Sequence, residues 1–166
     1  MRYPIGVIAA AALGAVSAAA VADAELPRVA VLPLDLAVKA ATAAEGQCAS
    51  DGYRVSASIV DRGGVLQAMV RGDGAGPHTV DSSRRKAYTA ASLRQPTRKL
   101  AVMVANQPEL AGVGRMNDSI LLLGGGFPIR FKEDIVGGIG VGGAPGDTLD
   151  EACARAGLKA IGADLF

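Results

Sequence analysis

One histidine, His78, occurs in the 166-residue chain, and it directly follows the glycine-rich run Gly72-Asp73-Gly74-Ala75-Gly76-Pro77. A helix is expected to start at His78 or Thr79, and a helix N-terminus is a poor place for an imidazolium. The ring is therefore expected to be neutral and able to coordinate a metal. A capping or solvated histidine with no chemistry is the plainer alternative. With a single histidine, a Ser-His-Asp triad could be built only on His78, and no Gly-x-Ser-x-Gly turn accompanies it. There is no His-Glu-x-x-His pair for zinc. The Gly72-x-Gly74-x-Gly76 run lacks the spacing and the βαβ setting of a dinucleotide loop.

Arg84-Arg85-Lys86 and Tyr88 follow on the same expected helix. Three consecutive cations span most of a turn, so they cannot all face one ligand. One or two of them could meet carboxylates, such as haem propionates or a small hydroxy acid, and a solvated face is the commoner reading. Met69, Met103 and Met116 read as core filler before ligands. Cys48 falls in register with Ala37, Ala41 and Ala44, and Cys153 with Leu149, Ala156 and Ala160. Both thiols are thus expected to point inward, as buried free cysteines or as a bridge between the first and last helices. Export favours the bridge, and two cysteines are too few for a zinc site.

The residues around these groups must supply the scaffold. Arg2, the apolar run Ile5–Ala20 and the small residues of Ala22-Asp23-Ala24 have the three-part layout of a secretory signal. Residues 1–24 are expected to be cleaved before Glu25, leaving a single domain over residues 25–166. The alternative, an uncleaved anchor, suffers because the run falls short of the roughly 20 residues that span a bilayer. The expected location is therefore periplasmic or secreted, with no stable membrane span after cleavage. A net charge of +1 and the lack of tryptophan argue against a nucleic-acid partner, which calls for a strong positive field or stacking aromatics.

The pattern predicts a helix over Pro33–Ala49, then a hairpin of Tyr53–Asp61 and Val65–Arg71 turning at Arg62-Gly63-Gly64. Helices follow over His78–Leu93 and Pro96–Ala105, with a loop over Glu109–Asp118. Strands are expected at Ser119–Leu123, Phe127–Phe131 and Ile135–Val141. Gly137, Gly138 and Gly140 lie inside the last of these, as expected where another backbone or a ligand comes close. Asp147 is placed to cap a final helix running to Ala163, with Asp150 and Glu151 complementing its dipole. Hairpin connections without βαβ units predict an α+β fold: one antiparallel sheet of about five strands with helices packed on it, the first and last helices adjacent.

The order of these motifs resembles the GlcG/HbpS family of haem-binding-like domains, which is also similar to the C-terminal domain of PduO-type proteins. The resemblance is carried by Ser58-Ile59-Val60-Asp61-Arg62-Gly63-Gly64, Arg71-Gly72-Asp73-Gly74-Ala75, Arg85-Lys86-Ala87-Tyr88-Thr89-Ala90 and Gly124-Gly125-Gly126-Phe127-Pro128-Ile129. It continues through Gly138-Ile139-Gly140-Val141-Gly142-Gly143 and Asp150-Glu151-Ala152-Cys153-Ala154-Arg155-Ala156-Gly157. It implies a compact α/β domain that assembles into homo-oligomers. Some members are exported and bind haem, with proposed roles in sequestration or extracellular redox sensing. Others are accessories of glycolate or diol metabolism.

The leading expectation is an exported haem-binding protein. His78 would ligate the iron, one of Arg84, Arg85 or Lys86 would meet a propionate, and Tyr88 would be the fallback oxygen ligand. A binding module for a small organic acid of the glycolate type, or an oligomeric accessory protein, is the alternative. No set of nucleophile, base and electrophile can be named, so the sequence leans away from an enzyme.

Overall fold

The computed structural model describes residues 25–166; the expected signal segment lies outside the described residues. After an extended stretch come α1 (Leu34–Ser50), β1 (Ser56–Asp61), β2 (Leu66–Arg71), α2 (His78–Leu93) and α3 (Thr97–Asn106). A 3₁₀ helix over Pro108–Arg115 follows, then β3 (Gly126–Phe131), β4 (Asp134–Gly142) and α4 (Asp147–Ala160). The strands form one antiparallel sheet in the order β2-β1-β4-β3. This is the α+β architecture expected, with four strands. Among the described residues no helix is long and apolar enough to cross a membrane.

The missing fifth strand is Ser119–Leu123, which is not paired to the sheet. Its backbone is satisfied by α2 side chains instead: Arg85 Nη2 donates to the Ile120 carbonyl at 2.7 Å, and Leu121 N–H donates to Thr89 Oγ1 at 2.8 Å. With partners available on a helix, an apolar run has no need of a strand neighbour. The stretch expected to be a loop forms the 3₁₀ helix, with Pro108 in its first turn.

The two faces of the sheet are built differently. On one, Ala57, Ile59, Phe127, Ile139 and Val141 pack with the alanine stripe of α1 (Ala37, Ala40, Ala41, Ala44) and with Ala154 and Leu158 of α4. Small residues let the two helices close on each other. A Cβ at Gly157 would lie 2.7 Å from the Ala40 carbonyl oxygen and 3.1 Å from Ala44 Cβ. Cys48 and Cys153 are bonded there as a disulfide, with Cα atoms 5.5 Å apart. The bridge reading holds for the pair, and α1 and α4 are adjacent. The buried face of α4 is not the one expected. It runs through Asp150, Glu151, Cys153, Ala154, Gly157 and Leu158, because the helix turns its small residues and two carboxylates inward and leaves Leu149, Ala156 and Ala160 at the margin.

The opposite face carries α2. Here β4 presents Gly138, Gly140 and Gly142, alternating with the apolar residues of the other face as a strand must. The expected close approach is real. A Cβ at Gly140 would fall 2.1 Å from the Ser83 carbonyl oxygen and 2.5 Å from the Ala87 nitrogen. Polar side chains fill the seam beside it, with Ser56 bonded to Thr79 at 2.8 Å and Ser58 to Ser83 at 2.7 Å.

Candidate functional site

The close seat of α2 on this glycine face brings its N-terminal half beside the end of β4 and the start of α4. A pocket of about 320 Å³ opens at that junction. Helix α2 contributes His78, Ser82 and Lys86. The far wall is Gly142, Gly143 and Ala144 together with Gly146, Asp147 and Asp150 at the head of α4, and Leu123 closes one side.

His78 is the first residue of α2 and is exposed at the pocket mouth. Its ring folds back over Gly76, where a Cβ would lie 2.6 Å from Cε1 and 2.9 Å from Nδ1. Glycine at that position leaves room for this imidazole orientation. Gly142 does the same for Ser82, whose Oγ would lie 2.6 Å from an added Cβ. The glycines on both sides thus form a cradle that side chains would fill.

Lys86 is the floor. It is 2% exposed, and its Nζ donates to Asp150 Oδ2 at 2.7 Å and to the Val141 carbonyl at 2.9 Å. Asp150, 3% exposed, also accepts the Ala144 N–H on Oδ1 at 3.0 Å. A buried pair of this kind, which uses two of the three ammonium N–H donors, fixes geometry more than it adds stability. Here it ties α2, β4 and the Gly143–Gly146 loop together. Burial pushes the Asp150 carboxyl above its ordinary range, and the Lys86 ammonium and the Ala144 amide pull against that.

This corrects the expectation for the head of α4. Gly146, not Asp147, is the N-cap residue, and it makes no side-chain cap bond. Asp147 is drawn aside to Arg98, at 2.8 Å from Nη2. Asp150 lies in the first turn of α4 as expected, where it also takes the Lys86 bond, and α4 ends at Ala160, not Ala163.

The remaining candidates diverge, as three consecutive cations must. Arg84 lies 3.0 Å from Asp81 near the surface. Arg85 spans between Asp81, at 3.7 Å, and the Ile120 carbonyl. Tyr88 stands roughly 15 Å along α2 from His78. Its ring covers Gly64 at the β1–β2 turn and its hydroxyl accepts a bond from Asn117 Nδ2 at 3.2 Å. Tyr88 and His78 are not brought to one site. Sequence reasoning missed Asp150 and Ser82 as pocket residues. A signal for Lys86 was present, since it shares the inward stripe of Thr79, Ser83, Ala87 and Ala90. Nothing local marked Asp150 as its partner, 64 residues away.

Fold and site together define an α+β domain with one four-stranded sheet between helical layers and a pocket where α2 meets α4. The chain belongs to the HbpS-like family, whose model, described as haem degrading protein HbpS-like, matches residues 32–159. It is similar to the crystal structure of HbpS, with 44% identity, coverage of 81% of this chain and 93% of that one, and a TM-score of 0.76. It is also similar to the ORFY protein of Klebsiella pneumoniae, with 30% identity, coverage of 86% and 99%, and a TM-score of 0.79. A PduOC:haem complex shares the fold, at 24% identity, coverage of 81% and 98%, and a TM-score of 0.75.

Proposed function

We propose that this protein is an exported haem-binding protein, in the periplasm or the medium, with His78 as an axial ligand and haem seated at the α2–α4 pocket. The observation that carries the reading is the exposed imidazole of His78 at the mouth of a glycine-lined pocket. The family membership supports it. Neutral imidazole is a common haem ligand, and the lack of a side chain at Gly76 is what lets the ring take its orientation. Bound haem would supply an iron centre for redox or small-ligand chemistry. The chain supplies the ligand, the glycine wall against which a flat ring can lie, and cations for the propionates. Lys86 already lines the pocket, and Arg84 or Arg85 would serve by turning away from Asp81. Tyr88 is the fallback ligand for a haem placed farther along α2.

Haemin titration followed by absorbance tests this. Wild-type protein is expected to give a saturable Soret shift that His78→Ala loses. A shift retained in His78→Ala moves the ligand to Tyr88 or the methionines, and no shift in either protein removes haem from the account.

The polar floor favours one second reading. A pocket of about 320 Å³ with a lysine ammonium and a serine hydroxyl also suits a small hydroxy acid of the glycolate type. Thermal stabilisation by glycolate, absent with haemin, would establish it. In either case we infer a homo-oligomer, supported by the exposed apolar side chains Leu26, Val29, Val31, Val65 and Leu66. Light scattering at micromolar concentration is expected to give a mass above the monomer.

A further inference from the structure

The opposite end of α2 holds a second cavity that the haem reading does not use. It is larger, about 500 Å³, and lies between the end of α2, helix α3 and the 3₁₀ helix. Five of its lining side chains are apolar: Leu93, Leu100, Met103, Val113 and Met116. Gln95 and Lys99 are the polar ones. That size and lining match small-molecule sites, which are mostly apolar with a few polar groups to fix orientation. Two unbranched methionines let the walls adapt to an occupant.

The outer wall is adaptable as well. The 3₁₀ helix, Pro108–Arg115, has no fully buried residue and rests on α3 through half-buried side chains such as Val113.

Charge indicates what the occupant carries. Between residues 94 and 116 the chain has Arg94, Arg98, Lys99 and Arg115 against one acid, Glu109, although the whole chain is only +1. Arg98 is committed to Asp147 and Glu151. The other three cations are exposed. Lys99 lines the cavity, Arg94 lies between the lining residues Leu93 and Gln95, and Arg115 directly precedes Met116. An apolar hollow lined by one free ammonium, Lys99, with two further exposed cations next to lining residues in the chain, is complementary to a molecule with an apolar body and one anionic end.

We propose that this cavity binds a monomeric amphiphilic carboxylate, with the alkyl chain among Leu100, Met103 and Val113 and the carboxylate at Lys99. The site is separate from the haem pocket. At about 1.5 Å per residue, His78 and Leu93 stand roughly 22 Å apart along α2.

Calorimetric titration with decanoate below its micelle concentration, and with decanol as the uncharged chain of equal length, is the test. One saturable site for decanoate is expected. Val113→Asp, on the 3₁₀ helix that has no fully buried residue, would weaken it about tenfold or more by placing a carboxylate in the apolar wall. Lys99→Gln would weaken decanoate about fivefold and leave decanol unchanged. Haemin-saturated protein would still take up decanoate, without haem release. The proposal is overturned by unsaturable heats, by equal losses of decanoate and decanol in Lys99→Gln, by displacement of haemin, or by binding only to phosphatidylglycerol vesicles.

Discussion

The two faces of the sheet solve the same packing problem by opposite means. Toward α1 and α4, strand residues are large and apolar, the helices are lined with alanine, and a disulfide joins them. Toward α2, the strand residues are mainly glycine and serine, with Val60 packed on Ala87 and Ala91, the seam is hydrogen-bonded, and a lysine is buried against an aspartate. The first face gains stability from burial and a covalent link. The second gives up side-chain burial for close backbone contact, and its pocket lies where that contact ends. Hydrophobic packing tolerates repacking, whereas a hydrogen-bonded glycine seam tolerates almost no added volume. The permissive face holds the domain together and the exacting face positions the site.

The comparison can be broken most severely at the disulfide. Replacing Cys48 and Cys153 by alanine is expected to cost about 4 kcal/mol, because the bridge closes a loop of about a hundred residues in the unfolded chain. Urea unfolding should show it, and haemin binding by the protein that remains folded should be unaltered. Lys86→Met comes next, at about 3 kcal/mol, because it leaves the Asp150 carboxylate buried without its cation. A double variant, Lys86→Met with Asp150→Leu, should recover most of that loss. Gly140→Ala should cost about 2 kcal/mol, since its Cβ meets the α2 backbone. Unlike the cysteine change, it should also disturb haemin binding by tilting α2.

The pH dependence of Lys86→Met sharpens the same contrast by a smaller margin. Burial already holds the Asp150 carboxyl above its ordinary value, and removing Lys86 takes away the main opposing pull. A carboxyl whose folded value is raised binds its proton more readily in the folded state. Its contribution to stability is therefore full below the ordinary value of 3.8 and is lost as pH rises through the raised value. The gap between wild type and Lys86→Met should be narrowest in acid and widen toward neutrality, as read from denaturation midpoints at successive pH values.

Much of this was legible in the chain. The hairpin around Arg62-Gly63-Gly64, the helix starting at His78, the inward cysteines and the meaning of the β4 glycines all follow from local rules of turn chemistry and periodicity. Ser119–Leu123 was misread because its apolar run is a strand signal only if a strand edge is available, and Thr89 and Arg85 satisfy its backbone first. The site divides along the same line. His78 was visible from its position after Gly76, whereas Lys86 reads with its neighbouring cations as a solvated face, although its helical stripe with Thr79, Ser83, Ala87 and Ala90 runs inward.

What the sequence determined by itself is what periodicity and chain chemistry reach within a few residues: most of the elements, the α+β class and the lone imidazole at a helix start. The tertiary structure decided which distant groups meet. It set Asp150 against Lys86, took Asp147 away to Arg98, and turned Tyr88 toward Gly64 and Asn117, away from the pocket. The physical reason is that a salt bridge or a pocket wall depends on positions in space fixed by the whole fold, and a separation of 64 residues leaves no trace in the local pattern.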